Sequence, residues 1–200
     1  MGKIQVYLRD KIMKRKAKRI KDTNFSLISS NCTGAMLLHE LGFRFNSPFV
    51  NLWLYPKDYL NYLENIEEYN NKELVFIEKE DISYPVAKLG DIEIYFQHYK
   101  TEDEARKKWI ERSSRINFER IYIFMTDRDG CTYEDLKRFD NLKYKNKICF
   151  THKEYKELNS TMYIKEFKDD NEVGMMFKFK GKHSLKKYYD VLDCVKWFNS

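Results

Sequence analysis

Phe25-Ser26-Leu27-Ile28-Ser29-Ser30-Asn31-Cys32-Thr33-Gly34-Ala35-Met36-Leu37-Leu38-His39-Glu40-Leu41-Gly42 opens on an apolar run, breaks into small polar residues, and resumes in a helical pattern that Gly42 stops. A buried strand handing over to a helix reads this way, and it predicts an α/β layer fold. The polar break from Ser29 to Gly34 then falls at the strand's carboxyl end, where open α/β sheets seat their ligands. Cys32 stands beside the coming helix, whose unpaired N–H groups favour anions and are expected to lower a thiol's pKa.

A second unit of the same kind lies downstream. Ile121-Tyr122-Ile123-Phe124-Met125 is the clearest buried strand, and it runs into Thr126-Asp127-Arg128-Asp129-Gly130-Cys131-Thr132. Thr132 with Asp135 forms a capping box that starts a helix over 133–139. Two strand-loop-helix units imply a parallel core. Further strands are expected at 74–77, 147–151 and 162–165, an edge strand at 175–180, and a hairpin across the Gly90-Asp91 turn within 84–97. Helices are expected over 57–69 after Pro56, from the Thr101 capping box to Ile116, and over 184–198. The architecture predicted is α/β, a three-layer α/β/α arrangement with a mixed, partly parallel sheet. One domain spans 23–200, and a basic amphipathic helix precedes it over 1–22.

The chain's 42% hydrophobic and 34% charged residues, over 200 positions, describe a globular domain able to bury one substantial core. No run approaches the roughly 20 apolar residues of a membrane span, and no apolar segment with a cleavage site follows the basic start. Four cysteines stand far apart, at 32, 131, 149 and 194, without a Cys-x-x-Cys pair. That spacing argues against a zinc site or a disulfide framework and for a cytoplasmic setting.

The net charge of +6 is concentrated in an arm. Residues 1–21 hold nine Lys or Arg against Asp10 alone, a net of +8, so the remaining 179 residues carry −2. Within the arm Ile4, Leu8 and Ile12 recur at four-residue spacing, followed by Met13, Ala17 and Ile20. Such a helix either docks on the body, lies on an anionic membrane surface, or contacts nucleic acid phosphates. No aromatic-interleaved basic patch continues into the body, which weighs against nucleic acid. A cytoplasmic protein peripheral to the inner face of the membrane is the localisation expected.

Both polar loops should open on one sheet edge. Cys32 is the candidate nucleophile, with His98 or His152 as the base that activates it, since both histidines follow apolar strand-like runs. Ser30, Asn31 and Thr33 would contact an anion or oxyanion, and Asn31 or Thr33 would cap the helix. Asp127 and Asp129, separated by Arg128, have three readings. They are metal ligands of the kind nucleotide-sugar glycosyltransferases use, a phosphotransferase motif, or a tight turn with capping carboxylates. Asp127-Arg128-Asp129-Gly130-Cys131-Thr132 resembles the first motif of haloacid-dehalogenase-type phosphatases. Cys131 interrupts that pattern, however, and the roughly 70 residues beyond it are too few for that fold. Lys88, beside the Gly90-Asp91 turn, would be free to meet a phosphate or sugar.

Several motifs together resemble a bacterial family of unassigned function whose members are named exopolysaccharide-biosynthesis proteins. They are Ser30-Asn31-Cys32-x-Gly34, Asn46-Ser47-Pro48, the run from Tyr84 to Ile94, Gln97-His98-Tyr99, Ala105-x-x-x-Trp109, Arg115-Ile116-Asn117 and the run from Asp127 to Thr132. The similarity covers about residues 24–165. It implies a compact α/β domain in a sugar-polymer context and carries over no catalytic residues. The expectation is a transferase, acyl or glycosyl, with a small-molecule or sugar substrate. Cys32, His98 and Asp127 would be catalytic, and Ser30, Asn31, Thr33, Lys88, Arg128, Asp129 and His152 would bind ligand. The rival is a ligand-binding or scaffold protein that uses the same cleft without chemistry.

Overall fold

The structure, a computed structural model, describes residues 2–200. Strands β1 (Ser26–Ser29), β5 (Ile121–Thr126), β6 (Asn146–Thr151) and β7 (Thr161–Tyr163) form a parallel sheet in the order β1-β5-β6-β7. Every residue of β5 is buried, as a strand covered on both faces requires. Its side chains divide between the two faces by the period of two. Ile121, Ile123 and Met125 face one core, and Tyr122 and Phe124 face the other.

Helices cover both faces. On the Tyr122 and Phe124 side lie α1 (Lys3–Ala17), α2 (Cys32–Leu41) and α7 (Cys194–Phe198), through Met13, Leu37, Leu38, Leu41, Val195 and Phe198. On the other side lie α3 (Pro56–Glu64), α5 (Glu102–Ser113) and α6 (Tyr133–Asn141), through Tyr59, Tyr62, Leu63, Trp109 and Phe139. The helix expected over 57–69 breaks at Asn65, whose φ of −137° is not helical, and resumes as α4 (Ile66–Asn70). The antiparallel strands β2 (Leu74–Ile77), β3 (Val86–Leu89) and β4 (Ile92–Tyr95) form a separate three-stranded sheet on that second side. The chain is thus an α/β fold whose parallel and antiparallel strands occupy two sheets.

Two expectations need correction. Residues 175–180 form turns, with a single bridge from Phe179 to Lys187, and not an edge strand. The helix expected over 184–198 is replaced by a 3₁₀ turn at Tyr188–Val191 and the short α7. Asp190 accepts from the backbone N–H of Lys187 at 2.7 Å, and Asp193 caps α7 by accepting from Val195 and Lys196. Two competing carboxylates therefore interrupt a sequence whose apolar spacing alone would continue the helix.

Helix α1 docks on the body, though not through the apolar residues near its start: Ile4 and Leu8 are 75% and 41% exposed. Instead Arg9, only 3% exposed, enters the body with Met13. Its guanidinium donates to Glu40 at 2.8 Å and to Asp190 at 2.5 Å, while Lys187 reaches Glu40 at 2.9 Å and Lys16 reaches Asp190 at 3.2 Å. Burial raises both carboxylates, but the hydrogen bonds and charges around them, those of Arg9 foremost, together outweigh it and hold Glu40 and Asp190 below the usual carboxylate range.

Candidate functional site

Gly34 sets the first loop. A Cβ there would sit 2.7 Å from that of Ser29, so only glycine lets α2 start this close to β1. The Gly34 N–H donates to Ser29 Oγ at 3.1 Å, and Asn31 Oδ1 caps the helix by accepting from Thr33 N–H at 3.1 Å. The amide of Asn31 then reaches across the sheet edge and donates to Thr126 Oγ1 at 2.8 Å. That bond ties the loop after β1 to the last residue of β5, where the second polar turn begins, so the two polar turns share one rim.

Beside it is a cavity of about 380 Å³ lined by Asn31, Cys32, Thr33, His98, Arg128 and Asp129. Trp53, Tyr84, Gln97, Gly174, Met175 and Phe177 complete its wall. Six of the ten residues singled out from the sequence thus converge on one space. His98 arrives from the segment after β4, where its N–H donates to Asn51 O at 3.2 Å. Arg128 and Asp129 arrive from the loop after β5. Glu172 braces that loop, accepting from the Asp129 N–H at 2.9 Å and approaching Arg128 Nε at 3.8 Å.

Four expected residues lie elsewhere. Lys88 is exposed on β3, opposite Val75 and Glu93, and does not line the cavity. Ser30 is buried behind the rim. Asp127 turns inward. Its Oδ2 accepts from the backbone N–H of His152 at 2.7 Å and lies 2.6 Å from His152 Nδ1, and its Oδ1 accepts from Val173 N–H at 2.9 Å. With both oxygens engaged, Asp127 ties the ends of β5 and β6 to the segment that ends in the cavity wall. His152 is occupied in that tie. His98 is therefore the histidine that shares the cavity with Cys32.

The electrostatics differ from expectation at the thiol. Burial pushes the Cys32 pKa up, and the hydrogen bond from its own backbone N–H only partly opposes this. A resting thiolate is not favoured, so Cys32 needs a base to act as a nucleophile. Burial also pushes Asp129 up; the Arg128 guanidinium pulls it back and the Glu172 charge adds to the rise. Asp129 sits at φ 60° in the left-handed region, a conformation aspartate tolerates better than most residues. Among the described residues no group of three or more His, Cys, Asp or Glu is arranged to hold a metal ion.

The aromatic wall went unassigned in the sequence. Trp53 stacks on Tyr95 with ring centroids 4.3 Å apart, and Tyr55 meets both edge-on. The backbones of Trp53 and Tyr95 exchange two hydrogen bonds at 3.0 Å, which fixes the indole at the cavity mouth. The available signal was the density of aromatics and amides in the loop after Gly42.

Residues 3–199 match the family described as Domain of unknown function (DUF1919), and the chain belongs to that family. It is 50% identical over 182 residues to an uncharacterised protein of Haemophilus influenzae, covering 91% of this chain and 87% of the relative. Among the described residues, no helix is long and apolar enough to cross a membrane.

Proposed function

We propose that, within this family, the cleft performs group transfer on a small anionic, sugar-bearing molecule in cell-surface polysaccharide assembly. The observation that carries the reading is the convergence of a thiol, an imidazole and a guanidinium from three distant segments on one cavity of about 380 Å³. His98 takes the proton from Cys32 as Sγ attacks the acyl or anomeric carbon, and the leaving group departs with a proton from the imidazolium or from Asp129. The acceptor hydroxyl then attacks the same carbon, passing its proton to the neutral imidazole or the Asp129 carboxylate, and the Cys32 sulfur leaves and recovers its proton from the imidazolium. Arg128 pairs with the ligand's phosphate or carboxylate, and Asn31 and Thr33 contribute polar contacts. Trp53, Tyr84 and Phe177 offer flat apolar surface of the kind a pyranose ring packs against. The resemblance to exopolysaccharide-biosynthesis proteins supports the sugar context.

The raised Cys32 pKa favours a second reading, in which the cleft binds such a ligand without chemistry. Iodoacetamide labelling of the full chain against pH, mapped to individual cysteines, separates the two. Group transfer predicts that Cys32 reacts fastest, and that His98→Ala slows it by roughly tenfold or more near neutral pH, as loss of a general base does. A Cys32 profile that His98→Ala leaves unchanged overturns the transfer reading. Thermal shifts with glucose 1-phosphate and UDP-glucose, present in the parent and absent in Arg128→Gln, would then support binding alone.

A further inference from the structure

Helix α1 presents two unlike faces. Gln5, Arg9, Met13 and Lys16 recur at helical spacing and hold the body, Gln5 through the Ser184 carbonyl at 2.6 Å. Ile4, Tyr7, Leu8 and Lys11 recur on the opposite side, where the first three are 75%, 56% and 41% exposed. A groove of about 810 Å³ runs between this half of α1 and residues 178–185, lined by Ile4, Leu8, Phe179 and Leu185 with Lys178, Lys182 and His183 at its margin. Among the described residues, Lys3, Lys11, Arg15, Lys18, Lys178, Lys182 and Lys186 have no carboxylate oxygen within 4.0 Å.

We infer that this surface docks on an anionic phospholipid bilayer, with Ile4, Tyr7, Leu8 and Phe179 entering the interface and the lysines meeting lipid phosphates. Exposed apolar side chains set among unpaired cations suit such a surface, the cations being drawn to lipid phosphates. A nucleic acid would satisfy the cations but leave Ile4, Tyr7 and Leu8 against water or phosphate. A second copy of the chain would bring like charges together. The ion pairs of Arg9 hold α1 in the docked orientation before any membrane arrives, so the ridge is presented without an ordering step.

Co-sedimentation of the full chain with phosphatidylcholine vesicles, with and without added phosphatidylglycerol, tests the inference. The parent should partition onto the anionic vesicles about 100-fold more strongly, and added salt should reverse it. Lys11→Gln with Lys178→Gln and Lys182→Gln should lower that partitioning about 100-fold at roughly fivefold per cation. Ile4→Ser with Leu8→Ser should lower it by about tenfold or more through lost apolar burial. All five positions are exposed or groove-lining, so circular dichroism should show an unchanged fold in each variant. Equal partitioning onto both vesicle types, or variants that partition like the parent, overturns the inference. So does binding to duplex DNA without vesicle binding, or a dimer that Ile4→Ser with Leu8→Ser dissolves while vesicles go unbound.

Discussion

The loops that follow β1 and β5 leave the same sheet edge and are joined by one hydrogen bond, yet they deploy their polar residues in opposite directions. After β1, Asn31 caps the helix while Cys32 and Thr33 stay on the cavity wall. After β5, the first carboxylate turns inward to hold the backbone just past β6 and at Val173, and only Arg128 and Asp129 look outward. Of the readings open to the Asp-x-Asp spacing, a pair of metal ligands would turn both carboxylates to one site. The structure divides the pair into a buried tie and a half-buried group on the cavity wall two residues apart, so a motif read from spacing alone merges residues with unlike duties.

Substitutions can break that division, and the largest effect belongs to the tie. Asp127→Ala leaves two backbone N–H groups and an imidazole without their acceptor, and should cost about 3–5 kcal/mol in urea unfolding. A loss under about 1 kcal/mol would return Asp127 to the surface-ligand role. Asn31→Ala removes a helix cap and the bond between the loops, for an expected loss of about 1–2 kcal/mol by the same measurement. Cys32→Ser should change stability by less than about 1 kcal/mol, as a near-isosteric swap at a half-buried site does, while abolishing the fast alkylation. Asp129→Gly should fall within about 0.5 kcal/mol of the parent, since relief at φ 60° offsets the added freedom of the unfolded chain.

The smallest effect is one of pH. Asp129 holds its proton more tightly folded than unfolded, so the folded state binds the extra proton between the two pKa values and the parent loses stability as pH rises through that window. Asp129→Asn lacks the term and should gain on the parent from about pH 4 upward in chemical denaturation at stepped pH. A difference that is flat with pH would place Asp129 in water. Glu40 and Asp190 behave in the opposite sense: held below the usual range, they stabilise the fold above it and release that contribution as the medium is acidified.

Local signals carried most of the fold. Gly42 stops α2 in the left-handed conformation at φ 72°, Thr132 and Asp135 form the reciprocal capping box, and the unbroken apolar run at 121–125 is the central strand. What failed depended on partners far along the chain. Arg9 finds its carboxylates 31 and 181 residues away, so nothing near residue 9 announces that a cation and not Ile4 or Leu8 makes the dock. Asp190, drawn to Arg9, helps interrupt the helix that Leu185, Tyr188 and Leu192 outline. At the cleft, the meeting of the two loops followed from strand ends, whereas Trp53 and Phe177 reach it from segments without periodicity.

The pairing of Arg9 with Asp190 carries a consequence for biosynthesis. A growing polypeptide makes α1 well before the carboxylate that completes its socket, 181 residues further along, and before the Asn199 side chain that clasps the backbone at Arg19 and Lys21. Domains ordinarily settle from the amino end during synthesis. Here α1 has its Glu40 partner within reach early, but its socket closes only once the turn carrying Asp190 has been made.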